Sequence, residues 1–363
     1  MYRGCSVGVV IPAYNEEGFV GDVIREMPPF VDRIYVIDDR STDGTWREIL
    51  AAAGEDGAAV EREGGRDSSG TDWVDPDDYD RLLTDGGTSV LAERAAVRDP
   101  IGRVVPMHHH ENLGAGGAIK TGYLAALEEG VDITVTVDAD GQIDLSQLPR
   151  LLDPIAEGTA DYAKGNRLLS REYRASMPRF RLFGNATLTF LTKIASGYWK
   201  TMDPQNGYTA ISRDALEAID VEGLYEYYGY CNDLLVKLNA SGMAVADVAM
   251  PAVYGDEESS IAYSEYIPKV STMLLGNFLW RLRTKYLVRD FHPLALFYLF
   301  GAATAVTGVL GGLWALFASV AGSGSAGLQW VGGILLFVAG VAFLLFAMVF
   351  DMAESEHLET QVS

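Results

Sequence analysis

The stretch ITVTVDADGQ (Ile133–Gln142) decides the fold. Ile133, Val135 and Val137 alternate with Thr134 and Thr136, which predicts a short strand. The strand runs straight into DADG, and Asp and Gly are turn formers. Where the alternation breaks, the carboxylates of Asp138 and Asp140 can converge on one point, with Ala139 between them. Two close carboxylates repel unless a cation neutralises them. Mg²⁺ or Mn²⁺ suits that place, because these hard ions take carboxylates together with substrate phosphate oxygens. Gln142 can add a neutral oxygen. The bland alternative is a polar turn closing a strand.

Strands and helices alternate upstream of this motif. Val7–Ile11, Ile34–Ile37 and Val104–His108 read as strands, and Glu17–Met27, Asp43–Ala53 and Ala115–Glu129 as helices. That order implies an α/β domain with a mostly parallel, Rossmann-like sheet and crossover helices. Ligands of such sheets bind beyond the carboxyl ends of the strands. PAYNEE, DDRSTD and DADGQ all fall at those ends. In PAYNEE, Tyr14 can stack on a base, and the helix start offers free N–H groups unless Asn15 only caps it. In DDRSTD, Asp38 or Asp39 can accept from a base or a ribose hydroxyl, while Ser41–Asp43 read as a cap for the next helix.

The chain has 363 residues, with 50 acidic against 28 basic side chains and a net charge of −22. This excludes the basic surface that nucleic acid requires. It suits a halophile, as does the scarcity of lysine beside arginine. Cys5 and Cys231 form neither a zinc spacing nor a disulfide framework. The N-terminus enters a strand too quickly for a signal peptide. Gly54–Ile101 reads as an acidic surface insertion, spanning about 55–101, partly ordered at best.

No Asp, Glu, Lys or Arg occurs between Phe291 and Phe350. The segment breaks at Ser319–Gln329, and each half exceeds the ~20 apolar residues that span a bilayer. Arg281, Arg283, Lys285 and Arg289 precede the first span, so the positive-inside rule places residues 1–290 and the tail from Asp351 in the cytoplasm. Ile267, Val270, Leu274, Phe278 and Leu282 recur at helical spacing. They fit a helix lying on the membrane surface or one packed on the domain. The expected organisation is a catalytic domain over 1–262, interfacial helices over 263–290, two transmembrane helices over 291–351 and a cytoplasmic tail over 352–363.

Three further runs carry candidate chemistry. HENLGAGGAIKTG (His110–Gly122) looks like a Gly-rich phosphate cradle with Lys120 in reach, although it matches no dinucleotide or Walker fingerprint. His108, His109 and His110 sit next to one another, but adjacent side chains on a strand point to opposite faces, which argues against a shared metal. Lys164–Asn185 gathers Arg167, Arg171, Arg174, Arg179 and Arg181 in a very acidic chain, and arginine forks suit phosphates. DPQNGYTAISRDAL (Asp203–Leu216) reads as a polar turn, a strand and a helix start. Asp233 reads as a helix cap or a catalytic base.

In their order, VVIPAYNEE, VIDDRSTDGT, NLGAGGAIKTG, VDADGQ and GNR resemble the family 2 glycosyltransferases over roughly Val7–Ser260, and most of all the polyprenyl-phosphate sugar synthases such as dolichyl-phosphate mannose synthase. The resemblance implies an inverting GT-A fold and transfer from a nucleotide sugar (a GDP- or UDP-hexose) to a polyprenyl or dolichyl phosphate at the membrane. It implies that Asp138, Asp140 and Gln142 hold the metal and the donor diphosphate. Pro12, Tyr14, Asn15, Glu16, Ile37, Asp38, Asp39, Lys120 and Ala139 would line the nucleotide-sugar site. Arg167, Arg179, Arg181 and Gln205 would meet phosphates or acceptor, with Asp140, Arg167 and Asp233 taking part in the reaction. Homo-oligomerisation is left open. Arg40, the Asn232-Asp233 pair and YGDEESSI (Tyr254–Ile261) depart from the family pattern. The other readings are transfer to a sugar hydroxyl with Asp233 as base, nucleotidyl transfer, and a membrane-anchored nucleotide-sugar binding protein without turnover.

Overall fold

The protein was analysed as a computed structural model that describes residues 1–64, 90–168, 179–250, 263–320 and 326–362. The strands are β1 (Val7–Ala13), β2 (Arg33–Asp38), β3 (Ala95–Val97), β4 (Val104–His109), β5 (Ile133–Thr136), β6 (Tyr162–Asn166), β7 (Thr209–Ser212), β8 (Val245–Ala249) and β9 (Glu359–Val362). They form one sheet in the order β3-β4-β2-β1-β5-β7-β6-β8-β9. β1, β2, β4 and β5 run parallel, as do β6, β8 and β9, and β7 is antiparallel to both of its neighbours. The mostly parallel α/β sheet expected from the sequence is present. Val7, Val9, Val10 and Ile11 of β1 are completely buried, because helices cover both faces of the sheet there.

Helix α1 (Val20–Arg25) starts later than expected, because Gly18 adopts φ 94 and the chain first makes turns over Glu16–Phe19. Asn15 therefore caps no helix. Helix α2 runs Thr45–Gly64 and is followed by α3 (Val90–Arg94) and β3, so both ends of the supposed acidic insertion belong to regular elements. The rest of that stretch, residues 65–89, lies outside the described residues. β3 also makes the strand before DADGQ the fifth rather than the fourth. Then follow α4 (Gly114–Glu128), α5 (Leu148–Ala156), α6 (Arg179–Ser196), α7 (Arg213–Ala218) and α8 (Tyr230–Ser241).

Helix α9 (Tyr263–Arg283) settles which way the apolar stripe faces. Val270, Leu274 and Leu282 are buried, and Val270 and Leu274 pack with Leu188, Ala195 and Val236 of α6 and α8. Of the two readings of the stripe, packing on the domain holds for Val270 and Leu274, while Leu282 packs with Tyr286, Leu294 and Tyr298. Leu275, Leu279 and Trp280 are exposed instead. The side chain of Ile267 lies outside the described residues. Arg281 is not a surface charge either: it is fully buried against Asp351.

Helices α10 (Leu294–Val320) and α11 (Ala326–Ser355) form the C-terminal hairpin, and both are long and apolar enough to cross a membrane. A Cβ on Gly308 would lie 2.3 Å from Phe337 N, and one on Gly340 2.3 Å from Ala305 N, so small residues permit the close crossing. The segment read as a cytoplasmic tail over 352–363 carries regular structure. It completes α11 and then adds β9 to the sheet, in parallel register with β8 from Val245↔Glu359 to Val248↔Val362. Glu359-Thr360-Gln361-Val362 shows no apolar/polar alternation, so it carries no strand signal.

Candidate functional site

The DADG turn separates two clefts. One is lined by Phe19, Asp22, Val23 and Glu26 beside Asp138, Asp140 and Gly141. The other is lined by Asp138, Asp140, Gln142, Asp144, Gln147, Arg167, Asn206, Tyr208 and Met250. Val137 N donates to Val10 O, which carries the strand just past β5 before it turns. Gly141 sits at φ 69, a conformation that favours glycine, and Asp140 Oδ1 accepts from Gln142 N at 2.9 Å. Gly207 packs against Asp138, since a Cβ there would be 3.3 Å from both carboxylate oxygens. Burial and the charge of Asp140 push the Asp138 carboxyl up to about 6, partly offset by Arg167. Two mutually repelling carboxylates and the amide of Gln142 form a hard-oxygen set that fits Mg²⁺ or Mn²⁺.

Arg167 follows β6. Its Nε and Nη2 donate to Asp203 at 2.7 and 2.9 Å, a bidentate pair in which Asp203 is almost fully buried. Gly165 lets Asn206 approach, for a Cβ would lie 2.8 Å from its Nδ2. Beneath them Lys164 and Asp247, both 1% exposed, pair at 2.8 Å. The polar turn of Asp203–Gly207 thus supplies the partner of Arg167, a cleft residue and the neighbour of Asp138. Of this turn the sequence reading chose Gln205, which lies beside Asn206. Asn206, Tyr208, Asp144 and Gln147 were missed. Their signal lay in the same motif and in the residues following DADGQ, but which side of a turn faces a cleft depends on tertiary packing. Arg179 and Arg181 lie in the first turn of α6 with their side chains outside the described residues, as are Arg171, Arg174 and YGDEESSI.

PAYNEE and DDRSTD clasp one another at the carboxyl ends of β1 and β2. Pro12 pairs with Ile37 in register. Asn15, at φ 57, donates its N–H to Ser41 Oγ and accepts from Thr42 N at 2.8 Å. Glu16 N donates to Thr45 Oγ1, and Tyr14 is 48% exposed, open for stacking. Buried Asp38 accepts from Ser41 N and lies 2.6 Å from His108 Nδ1, while Arg40, at φ 65, reaches His108 Nε2. The histidines point to opposite faces, as expected: His109 is buried with Nδ1 2.7 Å from Asp39 and Nε2 2.8 Å from Thr121.

Asp39, the Gly-rich turn, Lys120 and Asp233 all have partners within the protein. Asp39 accepts from Leu113 N and Gly114 N, each at 2.8 Å, besides facing His109, so its carboxylate is spent on holding the Gly-rich turn. In that turn the glycines serve packing. Gly117 N donates to Glu226 O, and a Cβ on Gly116 would be 2.6 Å from Tyr225 O, so the glycines admit a neighbouring backbone. Lys120 is buried and donates to Glu226 at 2.9 Å. Asp233 lies in the first turn of α8 and accepts from Tyr225 N, Lys237 Nζ and Asn277 Nδ2 at 2.9, 2.7 and 2.7 Å. A carboxylate so engaged is a brace between α8 and α9 and gives the base role no support.

The residues 8–67 and 77–220, more than half of the chain, match the family model described as glycosyl transferase family 2. The UDP-N-acetylglucosamine–dolichyl-phosphate N-acetylglucosaminyltransferase of Methanococcus voltae is 26% identical over 247 residues, covering 68% of this chain and 85% of that protein. The polyprenol monophosphomannose synthase of Mycolicibacterium smegmatis is 31% identical over 176 residues, covering 48% and 65%. Among solved structures, mannosyl-3-phosphoglycerate synthase from Rubrobacter xylanophilus aligns over 80% of this chain and 77% of its own, with a TM-score of 0.49 and 17% identity. With its mostly parallel sheet and these motifs at the strand ends, the chain belongs to glycosyl transferase family 2.

Proposed function

We propose that this glycosyltransferase moves a hexose from a GDP- or UDP-sugar to a polyprenyl phosphate, inverting the anomeric carbon, at the cytoplasmic face of the cell membrane. The observation that carries the reading is the convergence of Asp138, Asp140, Gln142 and Arg167 on one cleft, in a chain that carries two helices able to cross a membrane. The named activities of the polyprenyl-phosphate relatives support the acceptor class. Asp138, Asp140 and Gln142 would hold Mg²⁺ or Mn²⁺. The bound ion would neutralise charge growing on the departing nucleoside diphosphate.

The protein's own part is positioning. Arg167, oriented by Asp203, presents positive charge to the cleft, and Arg179 and Arg181 are the candidates for gripping the acceptor phosphate. A lipid phosphate oxygen is already anionic and needs no general base. The engagement of Asp233 favours this acceptor over a sugar hydroxyl, which would need one. Tyr14, exposed beside Asp38, is the candidate platform for the base. β9 and β8 share a sheet, so both ends of the membrane hairpin meet the domain on one side. The exposed Arg283 and Arg289 support the cytoplasmic face.

The test is incubation of membranes carrying the chain with radiolabelled nucleotide sugars, polyprenyl phosphate and Mn²⁺ or Mg²⁺. Label should enter an organic-soluble, mild-acid-labile product, and a chelator or Asp138→Ala should abolish it. A fully active Asp138→Ala would overturn the site, and label appearing only on glycan hydroxyls would overturn the acceptor.

A further inference from the structure

We infer that Glu359, in the last strand, is a positioning residue for transfer: its carboxylate holds the 199–203 segment so that Asp203 aims Arg167 at the Asp138–Asp140 cleft. The inference rests on reading that cleft as the transfer site.

Glu359 is nearly buried. Its carboxylate accepts from three consecutive backbone groups, Trp199 N, Lys200 N and Thr201 N, at 2.8, 2.7 and 2.8 Å, and from Thr201 Oγ1 at 3.2 Å. Successive N–H groups converging on one anion form a nest, and here the chain supplies its own anion from 158 to 160 residues away. Gln361 Nε2 adds a bond to Lys200 O at 3.2 Å. The segment then passes to Asp247, which accepts from Met202 N at 2.8 Å. It ends at Asp203, whose φ of 50 lies in the left-handed region. A non-glycine residue stays in that region only when its surroundings hold it there. Asp203 is also the bidentate partner of Arg167. Only Met202 separates Thr201 from Asp203, so the nest bears on Asp203 through a single residue, itself held by Asp247 and Lys164. The segment that follows the membrane hairpin therefore bears on the geometry of the cleft without touching it.

The test uses the full chain in membranes or mild detergent, with steady-state transfer kinetics. Glu359→Gln removes the charge and turns one oxygen into a donor facing other donors. It should lower kcat about 10- to 100-fold, the scale of an ångström-sized misplacement. The donor KM should move less than about threefold, because the Asp138–Asp140 side is untouched. Glu359→Asp, which keeps the charge, should recover part of the loss. Arg167→Lys lowers kcat by itself, and adding Glu359→Gln to it should cost no more than about threefold further, since both act through one contact. Losses that multiply fully, or Glu359→Gln at wild-type kcat, overturn the inference. If Glu359→Gln fails to fold, Gln361→Ala, which removes only the bond to Lys200 O, should still lower kcat several-fold and show the same coupling to Arg167→Lys; its absence overturns the inference equally. The reading of the cleft is judged separately, by Asp138→Ala.

Discussion

Replacing Arg281 by Met tests whether the C-terminal hairpin is locked to the glycosyltransferase domain by one buried ion pair. Arg281 and Asp351 are both fully buried and meet at 2.7 and 2.9 Å, and Tyr286 Oη donates to the same carboxylate at 2.7 Å. Arg281 also donates to the carbonyls of Ala195 and Ile194, which end α6. The substitution leaves Asp351 as an uncompensated buried charge and two carbonyls without their donor. Breaking one side of a buried pair costs about 3–5 kcal/mol. At roughly 2–4 °C per kcal/mol for a domain of this size, Tm should fall by about 6–20 °C. The assay is tryptophan fluorescence during thermal unfolding in mild detergent. The double variant Arg281→Met/Asp351→Leu removes the orphaned charge and should regain more than half of the loss, because two well-packed apolar groups avoid the desolvation penalty altogether. A single variant within a degree of wild type, or a double variant worse than the single, would refute the reasoning.

Gly207→Ala places a methyl group 3.3 Å from both oxygens of Asp138, and kcat/KM for the donor should fall about tenfold with Tm within about 2 °C, measured by steady-state transfer. Asp233→Asn removes a charged brace between α8 and α9 and should cost about 1–2 kcal/mol of stability while leaving the pH profile of transfer unshifted; a hundredfold loss of kcat at unchanged Tm would restore Asp233 as a base. Burial and the neighbouring Arg281 hold the Lys285 amine down at about 8 against an ordinary value of 10.5. Below pH 8 the folded protein carries the full cost of the buried charge. Between about pH 8 and 10.5 the unfolded chain binds the proton that the folded one has shed, so stability should rise with pH by up to roughly 3 kcal/mol. Lys285→Met should flatten that rise in thermal melts across the same range.

The strand-end motifs were legible in the sequence because each depends on local chemistry. ITVTVDADGQ alternates, then turns on Asp and Gly, and that alone places Asp138 and Asp140 at a strand end. The two apolar spans were legible for the same reason, since sixty residues without a charge need no partner to be recognised. The stripe Val270–Leu274–Leu282 was legible as a helix face, but periodicity is identical for a face turned to lipid and one turned to protein. Only the packing of Val270 and Leu274 on Leu188 and Val236, and of Leu282 on Tyr286 and Leu294, decided between them.

What a polar side chain does was legible only where the neighbouring residue already restricted it. Asp38 and Asp39 look alike in sequence, and so do Lys120 and Arg167. Asp39 is consumed by Leu113 and Gly114, and Lys120 by Glu226, whereas Arg167 lines the cleft. Those partners lie from tens to over a hundred residues away, so no local pattern distinguishes the pairs. The sequence by itself determined the fold class, the order of the strand-end motifs, the pair Asp138–Asp140 and the two apolar spans, because periodicity, turn chemistry and hydropathy act over a few residues. The tertiary structure alone decided which acids and bases are spent on holding loops together, which way α9 faces, and that the last residues return as β9 to the sheet. Burial and hydrogen-bond saturation are properties of residues brought together from distant parts of the chain.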